Sequence, residues 1–147
     1  MSKILIIEDE PAIRRVLVKI LSEEDKSHEI DEAENGIDAI NQVKKNSYDL
    51  IISDIKMPKV DGMEVLDYSK KNNPETPIIM ISGHGDLELA VDSMKKGAFD
   101  YISKPPDLNR LLTTVRNALD RKQLVVENKL LRKKLARILK WLEKVRR

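Results

Sequence analysis

The chain is paced by short, continuous runs of aliphatic residues that stop at an acid or a hydroxyl. Ile4-Leu5-Ile6-Ile7 runs into Glu8-Asp9-Glu10, Leu50-Ile51-Ile52 into Ser53-Asp54, and Ile78-Ile79-Met80-Ile81 into Ser82. A run without polar alternation suits a strand buried on both faces, the signature of a parallel sheet. Between these runs lie stretches with helical spacing. Pro11 suits the first turn of one, with Asp9 or Glu10 as its cap, and Ile13, Val16, Leu17, Ile20 and Leu21 form its apolar stripe. Residues 28–33 read as a weaker second strand, Asn35-Gly36 as a turn, and Ile37, Ile40 and Val43 as the stripe of a second helix. A third helix is expected over 63–72, after breaks at Met57-Pro58 and Asp61-Gly62. Gly83-His84-Gly85 reads as a loop, Asp86 as the cap of a fourth helix that stops at Gly97, 99–103 as a fifth strand, and Asp107 as the cap of a last helix.

Five strands alternating with five helices imply right-handed βαβ units and a sheet covered on both faces. The expected fold is therefore α/β, a (βα)5 doubly wound parallel sheet in the flavodoxin-like order 2-1-3-4-5. Ligands of such sheets sit at the carboxyl ends of the strands, near the switch point between strands 1 and 3. The chain has no cysteine, which excludes disulfides and thiolate metal sites. No apolar run approaches the ~20 residues that span a bilayer. The N-terminal apolar run is too short for a signal peptide, so the expected location is cytoplasmic, with no membrane contact.

The polar residues collect where this fold expects a site. Strand 1 ends in Glu8-Asp9, strand 3 in Asp54 and strand 4 in Ser82, while strand 5 is followed by Lys104. Three clustered carboxylates repel one another, and a hard divalent cation relieves that repulsion. Mg²⁺ prefers oxygen ligands and one or two carboxylates. Carboxylate, metal, hydroxyl and ammonium together match phosphoryl chemistry. Asp54 is the expected nucleophile because it stands alone at the end of the central strand. The adjacent Glu8 and Asp9 suit metal binding.

These residues resemble the receiver domain of two-component response regulators. The resemblance rests on Ile4-Leu5-Ile6-Ile7-Glu8-Asp9-Glu10, on Asp54 with Met57-Pro58 and Asp61-Gly62, on Ile81-Ser82-Gly83, and on Tyr101-Ile102-Ser103-Lys104-Pro105. It implies Asp54 as phosphoacceptor from a histidine kinase. Mg²⁺ would be held by Glu8, Asp9, Asp54 and the Lys56 backbone carbonyl. Ser82 would hydrogen-bond the phosphoryl group, Lys104 would pair with it, and Tyr101 would turn inward as a switch. It further implies a cis Lys104-Pro105 bond and a lifetime tuned by Lys56 and His84. No independent enzymatic turnover is expected. Glu8 stands where Asp is common, pointing to a water-mediated metal contact, and Pro106 stands where Phe is usual. The enzymatic rival, an aspartyl phosphotransferase, wants a second Asp two residues after the first, where this chain has Lys56. A dimerising scaffold without phospho-switching is the other alternative.

The last helix has no Gly or Pro after Asp107. Its charge also departs from the body: residues 120–147 hold eleven bases and three acids, against sixteen bases and twenty-two acids in residues 1–119. Leu124, Asn128, Leu131, Leu135, Ile138, Leu142 and Val145 follow a heptad seam, with Asn128, Leu135 and Leu142 at a and the others at d. The expected division is a receiver at 1–120 and a helical, coiled-coil linker at 121–147. The expected partner of the tail is a second copy, as a parallel homodimer. Docking of the tail on its own receiver or on a further domain is the alternative, and contact of its basic face with nucleic acid or an anionic membrane is a lesser one. No direct nucleic-acid contact is expected, because the bases lie opposite the seam, as on a solvated face. The receiver resembles the NtrC type through Ile81-Ser82-Gly83-His84-Gly85 and this long helix. No P-loop pattern for an attached ATPase occurs.

Overall fold

The aliphatic runs form the central sheet. In the computed structural model, which describes residues 2–57, 60–83 and 85–146, ten elements follow in strict alternation. They are β1 (Lys3–Ile7), α1 (Pro11–Glu24), β2 (Glu29–Ala33), α2 (Gly36–Lys45), β3 (Leu50–Asp54), α3 (Gly62–Asn72), β4 (Ile78–Ser82), α4 (Leu87–Lys95), β5 (Asp100–Ser103) and α5 (Leu108–Arg146). All strand pairs are parallel, in the order β2-β1-β3-β4-β5, as the sequence predicts. Pro58 and His84, which the sequence places in a chain break and a loop, lie outside the described residues.

Successive side chains of a strand point to opposite faces, so each run feeds two cores. Leu5, Ile7, Ile51, Ile78 and Met80 pack with Ala39 and Val43 of α2, Val65 and Leu66 of α3 and Ala90 of α4. Ile4, Ile6, Leu50, Ile52, Ile79, Ile81 and Ile102 pack with Leu17 and Leu21 of α1 and Leu111, Val115 and Ala118 of α5. Burial of one such side chain contributes about 1.5–3 kcal/mol. The registers Ile7 to Ser53, Asp54 to Ile81 and Ser82 to Ser103 bring the polar strand ends to one edge of this core.

Several local expectations need correction. Val16 and Ile37 are about half exposed rather than in their helices' core stripes. α2 instead turns Gly36, Ala39 and Val43 inward, because Gly36 lies against Val60, where a Cβ would come within 2.0 Å of the carbonyl oxygen. Glu10 stands at the N-cap of α1 but makes no side-chain cap bond. Asp86 likewise makes none at α4; its carboxylate is used elsewhere. Asp61 and Asp107 do cap their helices, accepting from the backbone N–H of Glu64 at 3.1 Å and of Asn109 at 2.9 Å. Gly97, with φ +101°, ends the α4 region in a conformation that L side chains rarely adopt. The Lys104-Pro105 bond is cis.

α5 is one uninterrupted helix of 39 residues, about 58 Å long at about 1.5 Å per residue. One face of its N-terminal part is buried at Leu111, Thr114, Val115 and Ala118, and ion pairs fasten its middle: Arg116 with Glu24 of α1, Lys122 with Asp49 at 2.6 Å, and Lys129 with Glu75. Beyond these ties it does not fold back on the receiver. The seam residues Leu124, Leu131, Leu135, Ile138, Leu142 and Val145 are all exposed.

Gly62 gives a test of how closely the site loop is packed. A Cβ there would lie 2.1 Å from the Asp54 carbonyl oxygen, too close for a side-chain adjustment to relieve. Gly62→Ala is expected to lose about 2–3 kcal/mol in urea unfolding. Gly85→Ala, where a Cβ meets nothing but φ is +88°, is expected to lose about 1 kcal/mol. Equal losses would contradict the close-packing account.

Candidate functional site

Three strand ends and one loop lysine make the site. β1 ends in Ile7, and the next residue, Glu8, is 1% exposed. β3 ends in Asp54, 4% exposed. The Lys104 ammonium, just after β5, donates to Glu8 Oε1 at 2.8 Å and to Asp54 Oδ2 at 2.9 Å, and lies 3.9 Å from Glu10 Oε1. Residues 96 and 50 positions apart are thereby joined across the sheet edge. Burying two carboxylates is costly unless they are paired and hydrogen-bonded, and Lys104 supplies one cation for both.

The electrostatics show the imbalance. Burial pushes the Glu8 carboxyl up to about 8; hydrogen bonding and charge repulsion from Asp54 raise it too, against the opposing influence of Lys104. For Lys104, burial works against the ammonium, and the hydrogen bonds to Glu8 and Asp54 overcome it, so its pKa stands above the ordinary lysine value. One cation cannot neutralise both acids when both are ionised, so below about 8 the pocket is balanced by a proton on Glu8.

The structure brings together most of the residues singled out by sequence. Glu8 and Asp9 lie with Glu10 in a cluster whose oxygen ligand atoms are all within 4.8 Å of one another. Asp54 joins Glu8 through Lys104. Ser82 is buried at the end of β4. Together with Gly83, Gly85, Leu87, Tyr101, Ser103 and Lys104 it lines a cavity of about 270 Å³. Tyr101 is half-buried, and its backbone carbonyl accepts from Arg110 at 2.8 Å. The donor set is all hard oxygen, partly buried and under-neutralised, and it fits Mg²⁺.

Other residues were missed by sequence reasoning. Arg14 donates to the Glu8 backbone carbonyl at 2.7 Å and fixes where that acid stands. Lys56 projects its ammonium to Asp86 Oδ1 at 2.8 Å, and Asp86 also accepts from the Gly83 backbone N–H at 3.0 Å. The β3–α3 and β4–α4 loops are thus tied beside the pocket. Glu10, expected only as a helix cap, faces the site instead. Only the Glu8-Asp9-Glu10 run signalled any of this, since the other contacts join segments distant in sequence.

Comparison with known proteins agrees with this geometry. The model of the response regulator receiver domain family matches residues 4–116. The C4-dicarboxylate transport transcriptional regulatory protein DctD of Pseudomonas aeruginosa is 36% identical over 142 residues, covering 92% of this chain and 29% of that protein. The nitrogen assimilation regulatory protein NtrX of Azorhizobium caulinodans is 39% identical over 119 residues, covering 80% of this chain and 26% of that protein. Among solved structures, a receiver domain protein from Clostridium thermocellum superposes with a TM-score of 0.79 at 37% identity, covering 85% of this chain and 99% of that one. NtrX from Brucella abortus in complex with ADP gives 0.83 at 36%, covering 92% and 30%. The chain belongs to the response regulator receiver family, and its relatives are regulators of the NtrC family. It spans under a third of the length of these curated relatives. Receiver domains are signalling domains of two-component systems; they generally bind Mg²⁺ at an acidic pocket and interact with a histidine kinase. Among the described residues no helix is long and apolar enough to cross a membrane.

The raised Glu8 pKa sets a sign for pH dependence. The folded state retains a proton on Glu8 between about 4.5, its ordinary value, and about 8. This contribution to stability is present below the lower value and lost as pH rises through the upper one. Without divalent cation, thermal stability is expected to fall between those limits. Glu8→Gln should flatten the decline and raise stability above the upper limit by about 1–2 kcal/mol. A decline of equal depth in the variant would contradict the assignment.

Proposed function

We propose that this chain is a phosphorylation-controlled switch of a two-component system, serving transcriptional control, with Asp54 as the phosphoacceptor. The observation that carries this reading is the buried Asp54 carboxylate, held by Lys104 beside Glu8, on the strand next to β4, where its register partner Ile81 directly precedes the buried Ser82. An Asp54 oxygen takes the phosphoryl group as the P–N bond of a kinase phosphohistidine breaks. Glu8, Asp9, Asp54 and the Lys56 backbone carbonyl would hold Mg²⁺, which when bound would supply positive charge to the carboxylates and the phosphoryl oxygens. Lys104 follows the new negative charge as its counter-ion. The Ser82 hydroxyl donates to a phosphoryl oxygen and draws the end of β4 inward. Tyr101 then turns into the cavity that it lines beside Ser82. The resulting shift biases α4 and β5 against α5. This chemistry requires no second catalytic Asp, and the position two residues on is Lys56. The experiment is labelling with a phosphoryl donor and Mg²⁺. Asp54→Ala should abolish incorporation, and persistent labelling of that variant would overturn the assignment.

In this reading residues 1–120 are the receiver and 121–147 the linker, although α5 runs through the division without a break. The exposed seam from Leu124 to Val145 supports a parallel homodimer with Asn128 fixing the register. The chain itself makes no nucleic-acid or membrane contact in this reading. A scaffold that pairs without switching predicts the same dimer but no response to a phosphoryl mimic. Leu131 and Leu135 are more than half exposed, so replacing both with Glu leaves the receiver core untouched. The double variant is expected to be a monomer by light scattering under conditions where the unmodified chain is a dimer. An unchanged mass would rule out pairing through the seam.

A further inference from the structure

Where α5 passes the turn before β4 it closes a second cavity, of about 300 Å³, lined by Pro74, Pro77, Phe99 and Val125 together with four cations, Lys70, Arg121, Lys122 and Lys129. Pro77 precedes β4 and Phe99 precedes β5, so this cavity lies at the opposite ends of the strands from Asp54. Two of its cations are already answered, Lys122 by Asp49 and Lys129 by Glu75. Among the described residues Lys70 and Arg121 have no carboxylate partner.

Neither unpaired cation is loosely placed. The Lys70 stem lies along Gly97, where a Cβ would come within 3.2 Å of Lys70 Cε, so the glycine leaves its path open. The Arg121 guanidinium lies over the Phe99 ring, 5.6 Å from its centroid. Burial disfavours the Lys70 ammonium, and the neighbouring Arg121 charge adds to that. Lys70 is partly buried and Arg121 exposed; their like charges repel, and Glu75, the acid that lines the cavity, is paired with Lys129 rather than with either of them. A compact oxyanion would offset both. An Arg presents a fork of donors matched to phosphate, and a Lys adds a point charge. The cavity sits at the small end of the range for ligand sites, about 300 to 1,000 Å³.

We propose that this cavity binds a compact phosphate-bearing anion through Lys70 and Arg121, against the apolar wall of Phe99, Pro77 and Val125. Such a ligand also lies within reach of Lys129, whose partner Glu75 lines the same cavity. It would therefore compete with one of the ties that fasten α5 to the receiver.

The probe is inorganic pyrophosphate, titrated into the full chain without divalent cation and followed by amide NMR. Saturable shifts are expected at Gly97, Phe99, Arg121 and Val125. Lys70→Gln and Arg121→Gln should each weaken binding about tenfold, with otherwise unchanged spectra showing that the fold is intact. Lys133→Gln, on the exposed tail, should leave affinity as it was. Failure to saturate, shifts centred on Ser82 and Lys104, or equal weakening by Lys133→Gln would each overturn the proposal.

Discussion

The site depends on one ammonium group. Lys104 bonds to both Glu8 and Asp54 and so joins the ends of β1, β3 and β5 at the sheet edge. Two buried carboxylates set side by side would otherwise repel each other, with only protonation to relieve them. One cation does not neutralise two acids, and burial, together with Asp54, pushes Glu8 up to about 8. The pocket is therefore held in a state that further positive charge would stabilise. That is the physical basis for a site that accepts a divalent cation and responds when the charge on Asp54 changes.

The parallel sheet makes this arrangement possible. Its strands all point the same way, so the residues that terminate them meet at one edge although they are far apart in sequence. The same geometry sends α5 across the far face, where Leu111, Val115 and Ala118 bury it against Ile79, Ile81 and Ile102. A shift of β4 or β5 thus has a packed route into the long helix. Arg110 adds a second, polar one through the Tyr101 carbonyl. Whatever the tail pairs with, it is attached to the receiver by core packing and by ion pairs from Arg116, Lys122 and Lys129.

Much of this was legible in the residue order. Uninterrupted runs such as Ile4 to Ile7 admit few alternatives to buried parallel strands, and the acids that stop them mark the functional edge. Asp54, Glu8, Ser82 and Lys104 could be placed at that edge because alternation makes the strands parallel and the common doubly wound order sets their ends side by side. Contacts made by topology alone were not legible. Asp86 has the local sequence of a helix cap, yet Lys56, thirty positions earlier in the chain, claims its carboxylate. Arg14 reaches a backbone carbonyl, which leaves no trace in side-chain patterning. Ile37 fits a helical stripe by spacing but faces outward, because close approach at Gly36 fixes the rotation of α2. The pairing of Lys70 with Arg121 depends on where α5 crosses the α3–β4 turn, which periodicity does not specify.

The central claim is that Lys104 and Ser82 answer to the charge on Asp54. The most direct measurement is an amide NMR comparison before and after adding Mg²⁺ and beryllofluoride, which mimics a phosphoryl group on an aspartate. The account predicts large shifts at Ser82, at Gly83 to Asp86, at Tyr101 and at Lys104, and smaller ones continuing into the buried turns of α5. Shifts confined to Asp54 and its immediate neighbours, with β5 and α5 unmoved, would contradict it.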